Sequence, residues 1–287
     1  MSTIGIRIAC IVGLAVSLGT AQQAQAGTII PIEQTRNVSG FVIVPHCGGG
    51  ADDGDEAAGF DPFDGAAEAV LGCSLASGAA LADQQSEIGA SSLTAAGTSY
   101  SEASAGVEDT IHAIAGSFFA VTFELASPSR FLLEGVISAD TSEDLTIGAF
   151  AEVSLTLAPD NEIIFEHTLN AGPGEPESEE FEEAGMLDAG VYTLRTQAAT
   201  FIDNDVPPSL LAEASFDLAF NVATADCEGD ANGDGVVDPL DSGFVLSRFG
   251  CPVGEGDPDC DTADQNDDGL VDPLDVGFIL ARFGKCE

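Results

Sequence analysis

The stretch SFFAVTFEL, residues 117–125, places large apolar side chains at alternate positions: Phe119, Val121, Phe123 and Leu125. A period of two is the pattern of a β-strand that buries one of its faces. Runs that alternate in this way, or that are rich in β-forming residues, recur at residues 37–44, 130–138, 145–157, 162–168, 190–202 and 211–222, with weaker candidates at 86–94 and 98–105. Short strands at this spacing predict a mainly β fold, an antiparallel, jelly-roll-like β-sandwich of about eight to ten strands within residues 27–222.

Two polar stretches interrupt these runs. Residues 46–72 contain three consecutive glycines and the acidic run DDGDE, and we expect a long loop there, closed by Cys47 and Cys73. The spacing of the acids in this loop fits no calcium-loop template. Residues 172–183 carry six glutamates, which predicts a solvated acidic loop.

The first 26 residues have the pattern of a secretory signal peptide. One cation, Arg7, precedes the apolar run 8–18, and the segment ends in Ala24-Gln25-Ala26, a small-x-small cleavage motif. The apolar run is too short to cross a bilayer, which needs roughly 20 residues. We therefore expect a protein without a membrane span, cleaved after Ala26 and either secreted or held at the cell surface.

Charge excludes several classes of partner. The chain has 49 acidic residues against seven Lys and Arg, a formal net charge of −42, and loss of the signal peptide removes one of the cations. Such a surface repels nucleic acid and anionic lipid and attracts cations. Because 45% of the residues are hydrophobic, the composition predicts a folded core rather than a disordered acidic chain.

The cysteines indicate disulfides. Seven are present, and six remain once Cys10 leaves with the signal peptide. An even number in an exported chain is typical of a disulfide framework, although the sequence alone leaves the pairing open. Spacing favours Cys47–Cys73, Cys227–Cys286 and Cys251–Cys260. No C-x-x-C spacing supports a zinc site.

A different pattern governs the end of the chain. The phrase GDANGDGVVDPLDSGFVLSRFG at residues 229–250 returns as DQNDDGLVDPLDVGFILARFG at residues 264–284, with a constant offset of 34 residues. Oxygen donors at positions 1, 3, 5, 7, 9 and 12, with glycine at position 6, are the set from which an EF-hand-type loop binds calcium. The predicted ligands are Asp230, Asn232, Asp234, Val236, Asp238 and Asp241 for one Ca²⁺ ion and Asp264, Asn266, Asp268, Leu270, Asp272 and Asp275 for a second.

Two details refine this prediction. Position 12 is Asp rather than the usual Glu, so the helix that carries this shorter side chain must lie closer to the ion. A flexible loop with several carboxylates favours Ca²⁺ over Mg²⁺, which needs a smaller, nearly octahedral cage. Gly235 and Gly269 at position 6 allow the sharp turn that a Cβ would obstruct.

Each loop continues into a short apolar helix. Asp238-Pro239 and Asp272-Pro273 predict an N-cap followed by proline at the first helical position, and Gly250 and Gly284 are expected to end the helices. The apolar side chains of the two helices are Phe244, Val245, Leu246 and Phe249, and Phe278, Ile279, Leu280 and Phe283. Neither helix can bury its face alone, so we expect the two to pack together with approximate two-fold symmetry. No helix is expected before either loop.

Two such loops in tandem, each with Asp at position 12 and one helix after it, resemble a type I dockerin domain. The resemblance covers residues 226–287, about a fifth of the chain. It implies a small all-α module that folds on binding two Ca²⁺ ions and attaches its host to a cohesin-like domain on a scaffold or cell surface. Many hosts of such modules degrade polysaccharides.

The sequence departs from this family at the loop positions that help to select the partner. Loop positions 10 and 11 help to select the partner in this family, often as a Ser-Thr-like pair, but here they are Pro239-Leu240 and Pro273-Leu274. Two interpretations stay open: a docking module, in which either half of the repeat presents the binding face, or a calcium-clamped, disulfide-linked C-terminal cap.

The front segment carries no recognisable catalytic motif. His46, His112 and His167 show no paired spacing, no serine lies in a G-x-S-x-G elbow, and no two carboxylates stand out as the acid and base of a glycosidase. Trp is absent and Tyr occurs twice, whereas the 17 Phe residues lie mostly in apolar runs. This inventory is poor in the side chains on which sugars usually stack.

The sequence therefore favours a secreted, non-catalytic protein that serves attachment or assembly at the cell surface within polysaccharide-degrading machinery. The alternatives are a carbohydrate-active O-glycosyl hydrolase carried by a dockerin, and a carbohydrate-binding sandwich or adhesin. The ligand, the docking partner, the strand order and the oligomeric state are left open.

Overall fold

The computed structural model describes residues 28–105, 110–142, 147–174, 176–204, 209–224, 228–232, 236–253 and 258–285. Its front part is mainly β and consists of two six-stranded antiparallel sheets. The strands are β1 (Ile29–Val44), β2 (Gly49–Glu56), β3 (Phe63–Gly72), β4 (Ala76–Ile88), β5 (Ser92–Ala105), β6 (Ile111–Leu125), β7 (Ser129–Thr141), β8 (Ile147–Leu157), β9 (Glu162–Asn170), β10 (Glu177–Leu187), β11 (Gly190–Asn204) and β12 (Leu210–Thr224).

The strand order places the chain alternately in the two sheets. The first sheet has the order β2-β1-β6-β11-β8-β9, and the second has the order β10-β7-β12-β5-β4-β3. From β6 onward each strand lies in the opposite sheet from its predecessor, except for the β8–β9 hairpin. The hairpins β1–β2 and β3–β4 widen the two sheets on the same side.

The core between the sheets follows the alternation of the sequence. In β6, Phe119, Val121 and Phe123 are fully buried, and the intervening residues are partly exposed. The strand predicted at residues 117–125 and its buried face are therefore confirmed. Burial of large side chains on one face of each strand supplies the main driving force for folding.

A polar band divides this core into two apolar clusters. Along β6, Ser117 lies between Ala115 of one cluster and Phe119 of the other. The hydroxyls of Ser101 and Thr200 are hydrogen-bonded across the two sheets at 2.9 Å. The buried polar side chains of the band are Arg36, Gln84, Ser86, Ser99, Ser101, Ser117, Thr196 and Thr200.

Both polar interruptions predicted as loops contain strands, so those predictions are wrong. Within residues 46–72, β2 pairs with β1 and β3 pairs with β4. Within residues 172–183, β10 begins at Glu177 and pairs with β7. Strands β2, β3 and β10 lie at the edges of the sheets. The sequences of β2 and β10 lack long apolar alternation, and the alternate buried positions of β3 are Phe63, Gly65, Ala67 and Ala69, most of them small.

The strand count and one boundary also differ from prediction. The two sheets contain twelve strands rather than eight to ten. The candidate strand at residues 86–94 is split, because β4 ends at Ile88 and β5 begins at Ser92, with Gly89 N donating to Ser92 O at 2.8 Å. Ala and Ser populate both strands and the turn between them, so composition does not mark the reversal.

The end of the chain forms short elements. They are β13 (Val236–Val237), α1 (Pro239–Leu246), α2 (Pro258–Ala263), α3 (Pro273–Leu280) and β14 (Gly284–Lys285). Helix α2 precedes the second loop, where no helix was expected. Proline at its start suits a first turn, and Cys260 and Ala263 of α2 are buried.

Helices α1 and α3 pack against each other. Their shared core contains Val245 and Ile279, which are 34 residues apart, together with Val237 and Val271, which share the same offset. The two-residue strands β13 and β14 join the first loop to the segment after α3. Gly250 N donates to Val271 O at 3.0 Å, which joins the second loop to the segment after α1.

Two of the three predicted disulfides are confirmed. Cys47 is bonded to Cys73, with 5.6 Å between their Cα atoms, and Cys251 is bonded to Cys260, with 5.7 Å between theirs. The predicted Cys227–Cys286 pair and the signal peptide lie outside the described residues. No helix in the part of the chain that the structure describes is long and apolar enough to cross a membrane.

Candidate metal centre

The two repeated loops lead into helices with the same N-terminal geometry. Asp238 Oδ1 accepts a hydrogen bond from Leu240 N at 2.6 Å, and Asp272 Oδ1 accepts one from Leu274 N at 2.7 Å. Pro239 and Pro273 occupy the first helical positions. Both predicted N-caps are therefore confirmed, and each satisfies one backbone donor that has no partner within the helix.

The aspartates at position 12 close both loops. Asp241 and Asp275 are fully buried. Asp241 accepts from Asn232 N at 3.0 Å and from Asp238 N at 2.7 Å. Asp275 accepts from Asn266 N at 3.2 Å and from Asp272 N at 2.8 Å. Each carboxylate thus ties position 3 of its loop to position 9.

The second loop has the turn that a calcium loop needs. Gly269 has φ +87°, in the left-handed region. Asp264 Oδ2 accepts from Gly269 N at 2.8 Å, and Asp264 Oδ1 accepts from Asp268 N at 3.2 Å. Asn266 Oδ1 also accepts from Asp268 N, at 2.9 Å. The side chains at positions 1 and 3 therefore gather on the inside of this turn.

The predicted backbone ligands lie where the loops meet the neighbouring segments. Val236 pairs with Lys285 in β13–β14, and Leu270 forms an isolated bridge with Pro252. In the first loop Asp230 is partly buried and Asn232 is exposed, whereas Asp234 lies outside the described residues.

The donor atoms of the two loops are of the kind that binds a hard cation. Their described side chains, however, do not surround a common point. Carboxylate, amide and carbonyl oxygens are calcium ligands, and a carboxylate that accepts two N–H bonds keeps further lone pairs. Within the described ranges, however, no three His, Cys, Asp or Glu side chains are arranged to hold one ion. In the second loop, Asp264 and Asp275 both accept hydrogen bonds from the backbone of the same turn, but the six predicted ligands do not come together at one point.

Gln265 lies in the C-terminal part of the chain, residues 228–285, which is called the tail below. It makes contacts that the repeat pattern does not predict. Its Oε1 accepts from Gly229 N at 2.9 Å, next to the first loop, and its Nε2 donates to Thr262 O at 2.7 Å. Its backbone N donates to Asp275 Oδ1 at 2.9 Å. The residue at the same position of the first loop is Ala231, so the repeat offers no signal for this contact.

Arginines at the helix ends form a second repeated feature that the sequence reading missed. Arg248 lies 3.5 Å from the ring centroid of Phe244, and Arg282 lies 3.4 Å from that of Phe278. Arg248 is ion-paired with Asp259 and Arg282 with Glu228, at 2.5 and 2.8 Å. A cation over an aromatic face is stabilising, and the sequence signal is the Phe-x-x-x-Arg spacing present in both halves.

Large apolar side chains of the tail remain exposed in pairs that are related by the repeat. Leu240 and Leu274 at position 11 have 64% and 65% of their surface exposed, and Leu246 and Leu280 have 53% and 55%. Phe249 and Phe283, and Val236 and Leu270, are also exposed. These eight exposed apolar side chains thus form four pairs that are related by the repeat.

Glu213, on the outer face of the second sheet, is an acidic residue of the sandwich whose pKa departs from its ordinary value. Glu213 on β12 lies opposite Tyr100 of β5 and Asp140 of β7. Partial burial and then the neighbouring Asp140 carboxylate raise the pKa of Glu213. Burial and a 2.7 Å hydrogen bond to Glu102 raise the pKa of Tyr100. A carboxyl that favours its neutral form is a property of some catalytic acids, but structural clusters show it as well.

Comparisons with known proteins add little. No family model and no curated protein matches the chain. The chain is similar to a protein in the structure of the Gx strain of infectious bursal disease virus, with 10% identity, 72% of this chain and 59% of that chain covered, and a TM-score of 0.26. It is also similar to a protein of the T13 IBDV viral particle, with 9% identity, 78% and 71% coverage, and a TM-score of 0.18. Similarity at these TM-scores does not define a class of protein.

Proposed function

We propose that the chain is an exported, non-catalytic protein in which a jelly-roll β-sandwich is joined to a calcium-dependent docking module of the type I dockerin kind. The jelly-roll assignment is supported by strand order: β5-β12-β7-β10 faces β6-β11-β8-β9. In a jelly roll, two Greek keys wind the chain alternately between two four-stranded sheets in this manner. Strands β1–β4 are then additions at one side.

The calcium proposal depends on one observation above all. Asp241 and Asp275, 34 residues apart, are buried in the same place of two equivalent loops, and each accepts hydrogen bonds from the backbone N–H groups at positions 3 and 9 of its loop. A buried carboxylate is costly unless it is hydrogen-bonded or coordinates a cation. Ca²⁺ bound by the twelve predicted ligands would neutralise these groups and hold each loop on its helix.

The exposed apolar pairs favour docking over a merely structural cap. A cap needs its apolar residues inside, yet Leu240 and Leu274 are mostly exposed at the positions that select the partner in the family the tail resembles. The near-identity of their exposure means that either half can present an equivalent face. The partner we propose is a cohesin-like domain on a scaffold or cell surface, with an apolar patch that leucine can enter.

The charge of the chain narrows the properties of this partner. The net charge of −42 disfavours association with a second copy or with an acidic surface. A complementary partner therefore surrounds its apolar patch with neutral or basic side chains. The attached sandwich would be the cargo that the tail places at the surface.

The experiment uses the full mature chain with the signal peptide removed. Titration calorimetry with CaCl₂ is expected to show uptake of two ions, and the double variant Asp230→Ala/Asp264→Ala should lose that heat. Binding to a panel of purified cohesin domains, measured in calcium and in chelator, is expected only in calcium. A wild-type chain without stoichiometric calcium uptake would contradict the metal proposal, whereas uptake without binding to any cohesin would leave the tail as a cap.

A further inference from the structure

The open side of the sandwich is held by one histidine. Strand β9 is the last strand of the first sheet and β10 is the first strand of the second, so each has an edge without a neighbour in its own sheet. His167 on β9 lies 2.8 Å from Glu179 Oε1 through its Nδ1 and 3.1 Å from Glu183 Oε1 through its Nε2. Both glutamates belong to β10. The imidazole therefore bridges the two sheets where their hydrogen-bonded edges end.

The surroundings of the ring are otherwise apolar. His167 stacks on Phe181 of β10, with 4.9 Å between ring centroids and an interplanar angle of 18°, and the ring of Phe165 lies 6.4 Å from it, tilted by 44°. Phe165 and Phe181 are buried members of the larger apolar cluster. Only 18% of the His167 side chain is exposed, whereas each of the two glutamate side chains is 40% exposed.

The two contacts together require a particular protonation state. A neutral imidazole has one N–H, and its other nitrogen is an acceptor. Carboxylates accept hydrogen bonds and do not donate them, so a neutral ring would place one lone pair against Glu179 or Glu183. The imidazolium ion has two donors and satisfies both glutamates, with one positive charge between two negative charges.

The charged groups around the ring come from one strand. The inward-facing residues of β10 include Glu177, Glu179 and Glu183, of which the last two touch the ring. The inward-facing described residues of β7 and β8 are apolar, Gly, Ser or Thr, Phe131 and Val153 among them.

We propose that His167 is a pH-controlled clasp between the two sheets. The imidazolium donates to Glu179 and Glu183 and closes the β9–β10 side of the sandwich. As pH rises the ring gives one proton to water, one hydrogen bond is lost, and the carboxylate that loses its donor is repelled. The edge strands then separate transiently and expose Phe165 and Phe181. The stabilisation is therefore present while both ring nitrogens carry a proton and is lost when one of them does not.

His112 provides a matched control within the same sandwich. It contacts one carboxylate, with 3.2 Å between its Nδ1 and Asp203 Oδ1, and its side chain is 37% exposed. A neutral tautomer with the proton on Nδ1 keeps that bond. Loss of a proton by His112 is therefore not expected to open an edge.

The test compares the full mature chain with its His167→Gln and His112→Gln variants at fixed calcium concentration. Ring ¹⁵N spectra of the histidine-labelled protein should show both nitrogens of His167 protonated at about pH 5. Amide exchange of β9 and β10, corrected for intrinsic rates with β6 as internal reference, should become about tenfold faster at about pH 8. The pH dependence should persist in His112→Gln and vanish in His167→Gln.

A third variant covers the case in which His167→Gln weakens the fold. His167→Phe keeps an aromatic ring on Phe181 and removes both donors, so its β9–β10 exchange should be fast and independent of pH. The proposal is overturned if the wild type and His167→Gln show the same pH dependence. It is also overturned if His167 loses its proton while exchange in β9 and β10 stays constant.

Discussion

Gln265 and Gly229 are joined by a hydrogen bond of 2.9 Å that connects the second repeated loop to the residue just before the first. Gly229 has φ +103°, a conformation that other residues rarely adopt. Because Ala231 occupies the equivalent position in the first loop and is buried, the contact has no symmetric counterpart. It makes the two loops one structural unit.

Substitution Gln265→Ala should weaken this unit. Loss of the side-chain bonds to Gly229 and Thr262 is expected to lower the free energy of unfolding of the tail by about 1 kcal/mol. Urea unfolding followed by the helical circular dichroism signal, in calcium, measures the change. The control Gln85→Ala removes an exposed glutamine of β4, and equal effects of the two substitutions would contradict the linking role of Gln265.

Substitution Asp275→Asn should damage the second loop more than its conservative nature suggests. Asparagine retains one acceptor oxygen, so one of the two ends of the loop loses its bond to this side chain, and a predicted calcium ligand loses its charge. We expect a loss of about 1–2 kcal/mol in unfolding free energy and weaker calcium uptake by calorimetry.

Asp267→Asn is the matched control for that variant. Asp267 lies in the same loop with φ +56°, where asparagine is well tolerated, and it is not a predicted ligand. Equal calcium affinity of the Asp267 and Asp275 variants would show that position 12 does not hold the ion.

The double substitution Leu240→Ser/Leu274→Ser should abolish docking and leave the fold intact. Both side chains are mostly exposed, so the unfolding free energy should change by no more than about 0.5 kcal/mol. Partner binding in calcium measures the effect, and either single variant should bind through the remaining half. Val70→Ser, at an exposed apolar position of β3, is the control; undiminished binding by the double variant would exclude this face.

Glu213→Gln should stabilise the sandwich at neutral pH. The pKa of Glu213 is raised by burial and by Asp140, so the folded protein favours the protonated form and loses stability as pH rises and the group ionises. Glutamine removes that loss, and we expect a modest rise in melting temperature at pH 7, because solvent screens a group that is partly exposed. The gain should disappear below about pH 4.

Glu134→Gln, on the same outer face of the second sheet, is the control for this prediction. Its side chain is exposed on β7, so its substitution should change the melting temperature little at pH 7. A destabilised Glu213→Gln variant at pH 7 would mean that the carboxylate of Glu213 is needed in its charged form.

Local sequence patterns predicted the structure correctly where it depends on side-chain burial or backbone conformation within a short segment. The alternation in residues 117–125 identified the buried face of β6, because a strand inside a sandwich must be apolar on its inner side. Asp238-Pro239 and Asp272-Pro273 identified two helix starts, because the cap and the fixed φ of proline act within a few residues. Cysteine spacing identified two disulfides, because short loops bring their ends together.

The same local patterns did not identify the edge strands β2 and β10. Strand β10 begins with six polar residues among its first seven, and its buried residues are Phe181 and Leu187. Its backbone is fixed by pairing with β7. Strand β2 has no fully buried side chain and is held by β1. Such segments become strands because a partner supplies hydrogen bonds, and that partner lies far away in the sequence.

By itself, the sequence determined which segments bury apolar faces, where two helices begin, and that two loops share a set of oxygen donors. Only the tertiary structure decided the order of the strands, the contact between Gln265 and Gly229, and the placement of His167 between Glu179 and Glu183. The reason is physical. Propensity, capping and periodicity act between neighbours along the chain, whereas sheet order and side-chain pairing depend on which distant segments meet when the core closes.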